Sequence, residues 1–129
     1  MRKNINTILV TGSSGLVGSQ SVDFFSDKSQ NIIGIDNNMR KHFFGKKSST
    51  NWNKERLENQ YSNFNNKNID IRNYIELENL FKKYNNSIDL IIHAAAQPSH
   101  DWAAKDPITD FSINANGTLN LLELTRLYS

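Results

Sequence analysis

Short apolar runs alternate along this chain with longer stretches whose apolar residues recur at helical spacing. Thr7-Ile8-Leu9-Val10 is continuous, apolar and β-branched, as a strand buried on both faces should be, and predicts a strand over residues 6–11. Leu16, Val17, Val22, Phe24 and Phe25 fall near helical spacing and predict a helix over 16–26. A second strand over 31–36 closes on an acidic residue and the turn-forming pair Asn37-Asn38. A polar stretch follows from about Met39 to Asn66, in which residues 55–61 read as a short helix. A connection this long in an α/β unit is usually functional or disordered. Its aromatics Phe43, Phe44 and Trp52 argue against plain disorder. Residues 68–71 predict a third strand, and 74–84 a helix with Ile75, Leu77, Leu80 and Phe81 on its apolar side. A continuous apolar run over 88–93 predicts the fourth strand. After a polar loop through Asp106-Pro107, a final helix runs to about Leu127, with Phe111, Ile113, Leu119, Leu122 and Leu127 available for packing. Strands alternating with helices imply an α/β fold, a parallel sheet with helices on both faces joined by right-handed crossovers.

Composition narrows what such a fold can do. At 129 residues the chain holds one domain and is short for a dinucleotide fold plus a substrate domain. Lys and Arg (15) nearly balance Asp and Glu (13), without a basic block or aromatic interleaving, so a nucleic-acid partner is not expected. The absence of cysteine excludes disulfides and thiolate metal sites and fits a reducing compartment. No signal-peptide h-region appears, and no apolar run approaches the ~20 residues that span a bilayer. A soluble, cytoplasmic protein without membrane contact is therefore expected. Heavy use of Asn, Lys and Ile reads as the bias of an AT-rich genome, which leaves surface positions uninformative. There is no internal repeat and no low-complexity linker.

The residues that can carry chemistry sit at the carboxyl ends of the predicted strands. Gly12, Gly15 and Gly18 follow the first strand at i, i+3 and i+6 and open the first helix. Such a turn lets backbone N–H groups and a helix N-terminus approach a pyrophosphate. The alternative reading of the same glycines is a tight βα turn that binds nothing. Asp36 ends the second strand eighteen residues beyond Gly18, near the place of a carboxylate that accepts hydrogen bonds from an adenosine ribose. It would repel a 2′-phosphate and so favour NAD over NADP, although Arg40 and Lys41 nearby could neutralise one. Asp70 and Ile71 fit an adenine equally well as they fit a helix-capping region shared with Asn73.

Ala94-Ala95-Ala96 follow His93 at the end of the fourth strand, where small residues let the backbone approach a nicotinamide ribose. Pro98 argues against reading those alanines as helix. Gln97, Ser99, His100 and Asp101 then form a polar cluster at the expected crevice. The His-Asp pair lacks both a third ligand at metal spacing and a nucleophile elbow, so neither a metal site nor a hydrolase is expected. Trp102 can stack on a ring or pack the loop. Asn114, in the last helix, can hold the loop after the fourth strand by hydrogen bonds. Gly117 one turn on costs about 1 kcal/mol relative to Ala, which points to a close approach there.

The segments TGSSGLVG, IDNN, DIRN, HAAAQPSHDWAA and NANGTLNLLELTR together resemble the extended short-chain dehydrogenase/reductase superfamily of nucleotide-sugar enzymes, to which the GxxGxxG spacing also corresponds. More narrowly, FFGKKSSTNW with QPSHDWAAKDP is similar to the CDP-paratose 2-epimerase (CDP-tyvelose epimerase) family. The likeness covers essentially the whole chain. It implies the first four strands of an incomplete Rossmann-type doubly wound sheet, with 1–129 forming the N-terminal part of the domain. It implies that Gly12, Ser14, Gly15, Leu16 and Val17 hold the pyrophosphate of NAD. Asp36, Asn37 and Arg40 would hold the adenosine end, with Asp70 and Ile71 at the adenine. Ala94, Ala95, Ala96 and Asn114 would line the nicotinamide side, and Gln97, Ser99 and His100 would face the sugar of a CDP-linked substrate. The implied chemistry is transient oxidation. Hydride leaves a sugar carbon, C2 in the narrow family, for tightly bound NAD⁺ and returns to the opposite face of the keto sugar, with the cofactor performing the hard step. This is a step of lipopolysaccharide O-antigen biosynthesis, and a homo-oligomer is implied for the full-length protein.

Two departures qualify the resemblance. Ala94 stands where the family often has Thr, a small-for-small change compatible with cofactor binding. The superfamily's Tyr-x-x-x-Lys pair, the general acid/base of the reaction, has no counterpart here, because Tyr61, Tyr74 and Tyr84 all lack the lysine. No catalytic residue is assigned in this chain, which reads as a truncated or partial sequence carrying the cofactor half. A 4-epimerase or 4,6-dehydratase on UDP-, GDP- or dTDP-sugars is the alternative within the enzymes. A redox-sensing dinucleotide module without catalysis, or an inactive fragment, is the alternative outside them. A fourth strand without a fifth would leave a sheet edge and apolar helix faces uncovered. The isolated chain is therefore expected to be poorly stable or to self-associate. Sedimentation velocity and thermal melting check this, and a monodisperse monomer with a sharp cooperative melt would contradict it.

Overall fold

The computed structural model describes residues 5–129. Strands β1 (Ile5–Thr11), β2 (Ser29–Ile35), β3 (Phe64–Lys67) and β4 (Ile88–His93) form one sheet in the order β3-β2-β1-β4, with every neighbouring pair parallel. The chain moves outward from β1 to β3 and then crosses to the far side of β1 for β4. That reversal makes the carboxyl ends of β1 and β4 the switch point, where open α/β sheets leave a crevice for ligands. The helices are α1 (Leu16–Phe25), α2 (Arg40–Phe44), α3 (Asn51–Gln60), α4 (Tyr74–Tyr84), α5 (His100–Lys105), α6 (Pro107–Phe111) and α7 (Gly117–Tyr128). A π-helical segment, Ser112–Asn116, joins α6 to α7. The architecture is a partial, doubly wound Rossmann-like fold. No helix is long and apolar enough to cross a membrane among the described residues.

Alternation along the strands divides the core in two. Ile8, Val10 and Ile32 pack with Val22 of α1, Leu57 of α3 and Phe64. Leu9, Ile33 and Ile35 pack with Leu77, Leu80 and Phe81 of α4 and with Leu121 and Leu124 of α7. β1 and β2 thus feed both layers, which is why β1 reads as an unbroken apolar run.

The structure departs from the sequence-based expectations where packing overrides periodicity. β3 lies at Phe64–Lys67, ahead of the expected 68–71. Only Phe64 of that strand is buried, its ring lying where a Cβ on Gly34 of β2 would stand. The polar residues after it carry no alternation signal. Ile69 and Ile71, which suggested a strand, enter the core from the connection that follows. On α1, Leu16 and Val17 are exposed, and Gly18, Ser19 and Val22 face inward instead. The helix begins so close to the preceding turn that a Cβ on Gly18 would overlap the Gly12 carbonyl. Phe111, Leu119, Leu122 and Leu127 are likewise exposed, while Ile113, Leu121 and Leu124 pack inward. Residues 100–105, expected as loop, form α5, capped by Ser99 Oγ accepting from the Trp102 N–H.

The two sides of α4 give a direct check. Phe81 is 0% exposed, whereas Ile75, expected on the apolar side, is 70% exposed. Phe81→Ala should cost about 3–5 kcal/mol in urea unfolding, and Ile75→Ala within about 0.5 kcal/mol.

Candidate cofactor site

The turn after β1 is held by groups at the end of β2, on β3 and on α3. Gly12, at φ +65°, and Ser13 both donate their N–H to Ile35 O, at 2.7 and 3.4 Å. Ser14 N–H donates to Asp36 Oδ2 at 3.0 Å, and Ser14 O accepts from Asn53 Nδ2 of α3 at 2.9 Å. Ser13 Oγ donates to Asn66 Oδ1 of β3 at 2.9 Å. A Cβ on Gly12 would lie 2.8 Å from Ala94 C and Ala95 N, so the turn abuts the end of β4 directly. α1 then begins at Gly15 without a side-chain cap. The Ser14 hydroxyl, in a residue only 2% exposed, has no hydrogen-bond partner among the described residues. The first N–H groups of α1 and its positive dipole end therefore meet the cleft unspent by any side chain.

Asp36 links this turn to the long connection. Its Oδ1 accepts from Asn38 N–H at 2.8 Å while Oδ2 takes Ser14 N–H, which leaves each oxygen a further lone pair. Asn38, at φ 57°, takes a left-handed conformation that Asn tolerates. Its side chain accepts from Thr50 N–H and donates to Ser49 Oγ, each at 2.9 Å, returning the connection to the site just before α3. Above the cleft, α2 meets α5. Trp102 Nε1 donates to Phe43 O at 2.8 Å, and their ring centroids stand 5.5 Å apart. Trp102 therefore packs the loop.

On the third side, Asp70 pairs with Arg72 through Nε and Nη2, the shortest contact being 2.6 Å. Burial would raise the Asp70 carboxyl, but hydrogen bonds from the Arg72 side chain and backbone and its positive charge outweigh this and hold it below the ordinary 3.8. Capping of α4 falls to Asn73, whose side chain accepts from Glu76 N–H at 3.2 Å. Ile71 is buried, with its terminal methyl where a Cβ on Gly117 would stand. The close approach at Gly117 is thus made by a core side chain.

All the cofactor candidates except Ser14 and Asn114 line one cleft: Gly12, Gly15, Leu16, Val17, Asp36, Asn37, Arg40, Asp70, Ile71, Ala94, Ala95 and Ala96. Ser14 lies buried in the turn at its edge. Asn114 stands behind the shelf, accepting from Gln97 N–H at 2.8 Å and donating to Gln97 O at 3.1 Å. The cleft is also lined by Met39, Phe43, Thr50, Ile69, Pro98 and Ile113. The aromatic pair in the long polar stretch was the only sequence signal for that roof. Of the sugar-facing candidates, none lines this cleft. Gln97 is buried and spends its amide on Ser99 O and Asp110 Oδ1, while its Oε1 accepts Ser99 N–H. Ser99 caps α5 and His100 is exposed at its start. No group of three or more His, Cys, Asp or Glu suited to a metal occurs among the described residues.

Comparison with known proteins bears on this geometry. Residues 8–129 match the family described as "NAD dependent epimerase/dehydratase family". The chain is 34% identical over 122 residues to a CDP-paratose 2-epimerase of Salmonella typhi, covering 95% of this chain and 33% of that protein. It is 33% identical to a putative UDP-glucose 4-epimerase of Methanocaldococcus jannaschii, covering 94% and 34%. Among solved structures, the UDP-glucose 4-epimerase of Thermotoga maritima, determined with UDP-glucose, superposes with a TM-score of 0.73 at 28% identity, covering 95% and 35%. The chain spans about a third of the length of each.

The Asn53 contact can be tested apart from any ligand. Asn53→Ala leaves the Ser14 carbonyl without its partner and should cost about 1–3 kcal/mol in chemical unfolding. An unchanged midpoint would mean that α3 does not support the turn.

Proposed function

The chain belongs to the NAD dependent epimerase/dehydratase family, and on that premise we propose that it is the NAD-binding portion of a nucleotide-sugar epimerase or dehydratase. The observation that carries this reading is the orphaned, buried Ser14 hydroxyl beside the uncapped start of α1. The Ser14 hydroxyl has no partner among the described residues and no side chain caps the start of α1, which suits a pyrophosphate. Gly12, Gly15, Leu16 and Val17 would surround it. The free lone pairs of Asp36 would accept the ribose hydroxyls, and a carboxylate there disfavours a 2′-phosphate. Asn37 and Arg40 would flank the adenosine, with Asp70 and Ile71 beyond it. When bound, NAD⁺ supplies a hydride acceptor for transient oxidation of a sugar carbon. Ala94–Ala96 offer no side chain beyond Cβ, so a flat ring can lie against their backbone. Asn114 holds that backbone through Gln97, and Phe43 and Pro98 add apolar surface to the same cleft.

For the sugar position, the reading we favour is chemistry at C4 of a UDP-linked sugar, which agrees with two of the three proteins compared above. The second reading is C2 epimerisation of a CDP-linked dideoxyhexose, CDP-paratose to CDP-tyvelose. It is favoured by the QPSHDWAAKDP segment and the 34% identity to the Salmonella protein. Either way, Gln97 would act by shaping the segment between β4 and α5, leaving Ser99 and His100 as the groups nearest a sugar. A homo-oligomer is proposed for the whole protein.

Calorimetric titration tests the cofactor reading. The chain should bind NAD⁺ more tightly than NADP⁺ by about tenfold, or about 1.4 kcal/mol. Gly12→Ala should abolish binding, because its Cβ would strike the Ala94–Ala95 backbone, and Asp36→Ala should remove the preference. A chain indifferent to NAD⁺ overturns the reading. Incubating the whole protein with UDP-glucose and with CDP-paratose, and identifying products by NMR, decides between C4 and C2.

A further inference from the structure

His93 ends β4 and does not line the cleft, yet it closes a ring of hydrogen bonds around the shelf that does. Thr11 Oγ1 accepts from the Ala95 N–H at 3.1 Å and lies 2.6 Å from His93 Nδ1. On the other side, His93 Nε2 lies 2.9 Å from Thr118 Oγ1, which donates to Asn114 O at 2.7 Å. Asn114 then grips both the N–H and the carbonyl of Gln97. The chain from Ala95 to Gln97 completes the circuit, so the shelf is tied at one end to β1 and at the other to the π-helical segment.

Counting protons assigns the imidazole. A threonine hydroxyl has one hydrogen. Thr118 spends its hydrogen on Asn114 O, so towards His93 it can only accept, and Nε2 carries a proton. Thr11 is fully buried, and its one available acceptor among the described residues is His93 Nδ1. A proton on Nδ1 would leave the Thr11 hydroxyl hydrogen unpaired, which is costly in a buried site. The facing groups, Thr11 from β1, Thr118 from α7 and Asn114 from the π-helical segment, are uncharged. The ionisable member of the wider ring is Asp110 of α6, which accepts from Gln97 and Asn114. Although the residue as a whole is exposed, desolvation of its ring likewise holds the His93 pKa below the ordinary 6.5.

We propose that His93 is a positioning residue for the cofactor: as a neutral, Nε2-protonated imidazole it braces β1 against α7 and fixes the Ala94–Ala96 shelf against the glycine turn. The shelf has little slack, since Ala94 and Ala95 already crowd the space beside Gly12. The proposal rests on the cofactor reading above.

Nitrogen-15 shifts of the histidine rings, assigned with His93→Gln, read the tautomer in the ligand-free chain. At neutral pH His93 should show a protonated Nε2 and a bare Nδ1. The opposite tautomer, or an imidazolium, overturns the assignment. His93→Phe should weaken NAD⁺ binding about five- to tenfold, roughly what one lost hydrogen bond supplies. His93→Gln, which can still donate to Thr118, should fall between. Affinity of the unaltered chain should drop as pH falls below 6.5, where the ring becomes charged. That slope should vanish in His93→Gln and survive in Asp110→Asn. If His93→Phe does not fold, Thr118→Val removes the Nε2 acceptor together with the hydroxyl's bond to Asn114 O and should weaken binding by at least a similar factor. A chain that binds NAD⁺ but is indifferent to these changes overturns this proposal alone. A chain that binds no NAD⁺ overturns the cofactor reading and this proposal together.

Discussion

The conformation of four residues, Gly12 to Gly15, governs how the rest of this structure is arranged. A chain leaving a buried strand and entering a helix within four residues exposes backbone donors and acceptors that must be paired or offered to a ligand. Here they are divided. The amides of Gly12, Ser13 and Ser14 are taken by Ile35 and Asp36, and the Ser14 carbonyl by Asn53. The start of α1 and the Ser14 hydroxyl are left over. β2, β3 and α3 are all committed to this one turn, so the long polar connection is a support as well as a roof.

The same economy shapes the opposite wall. The shelf after β4 runs so close to the turn that a Cβ on Gly12 would meet the Ala94–Ala95 backbone. Its backbone is held by side chains reaching in from Thr11 and Asn114. Below it, Asn120 Nδ2 donates to Ile71 O at 3.0 Å and ties α7 to the connection after β3. The backbone of both walls is thus held by polar side chains, with apolar packing in the layers beneath and at the Phe43–Trp102 roof.

Much of this was legible in the residues. β1, β4 and α4 lie within a residue of where apolar pattern alone put them, because each is long, strongly patterned and bounded by turn formers or by the Asn73 cap. The cleft was legible too, from glycines at fixed spacing and an acidic residue closing a strand. What escaped was set by distance in the chain. β3 is mostly polar and identifiable only by its pairing with β2. Periodicity alone makes Leu16 and Val17 look like core residues, whereas the family resemblance put them at the cleft that they line. Gln97 looks like a ligand contact but is spent internally on Asp110 and Ser99.

By itself, then, the sequence determined the alternation of strands and helices, the switch-point glycine turn and the chemistry of the residues gathered at it. These depend on local spacing and on backbone freedom, which a linear chain displays. Only the tertiary structure decided which face each helix buries, which asparagines support the turn, and that His93 is bonded at both nitrogens. Those outcomes depend on partners as far as 84 residues apart, such as Ala95 and Thr11. Until the sheet forms, nothing in the chain marks such partners as neighbours.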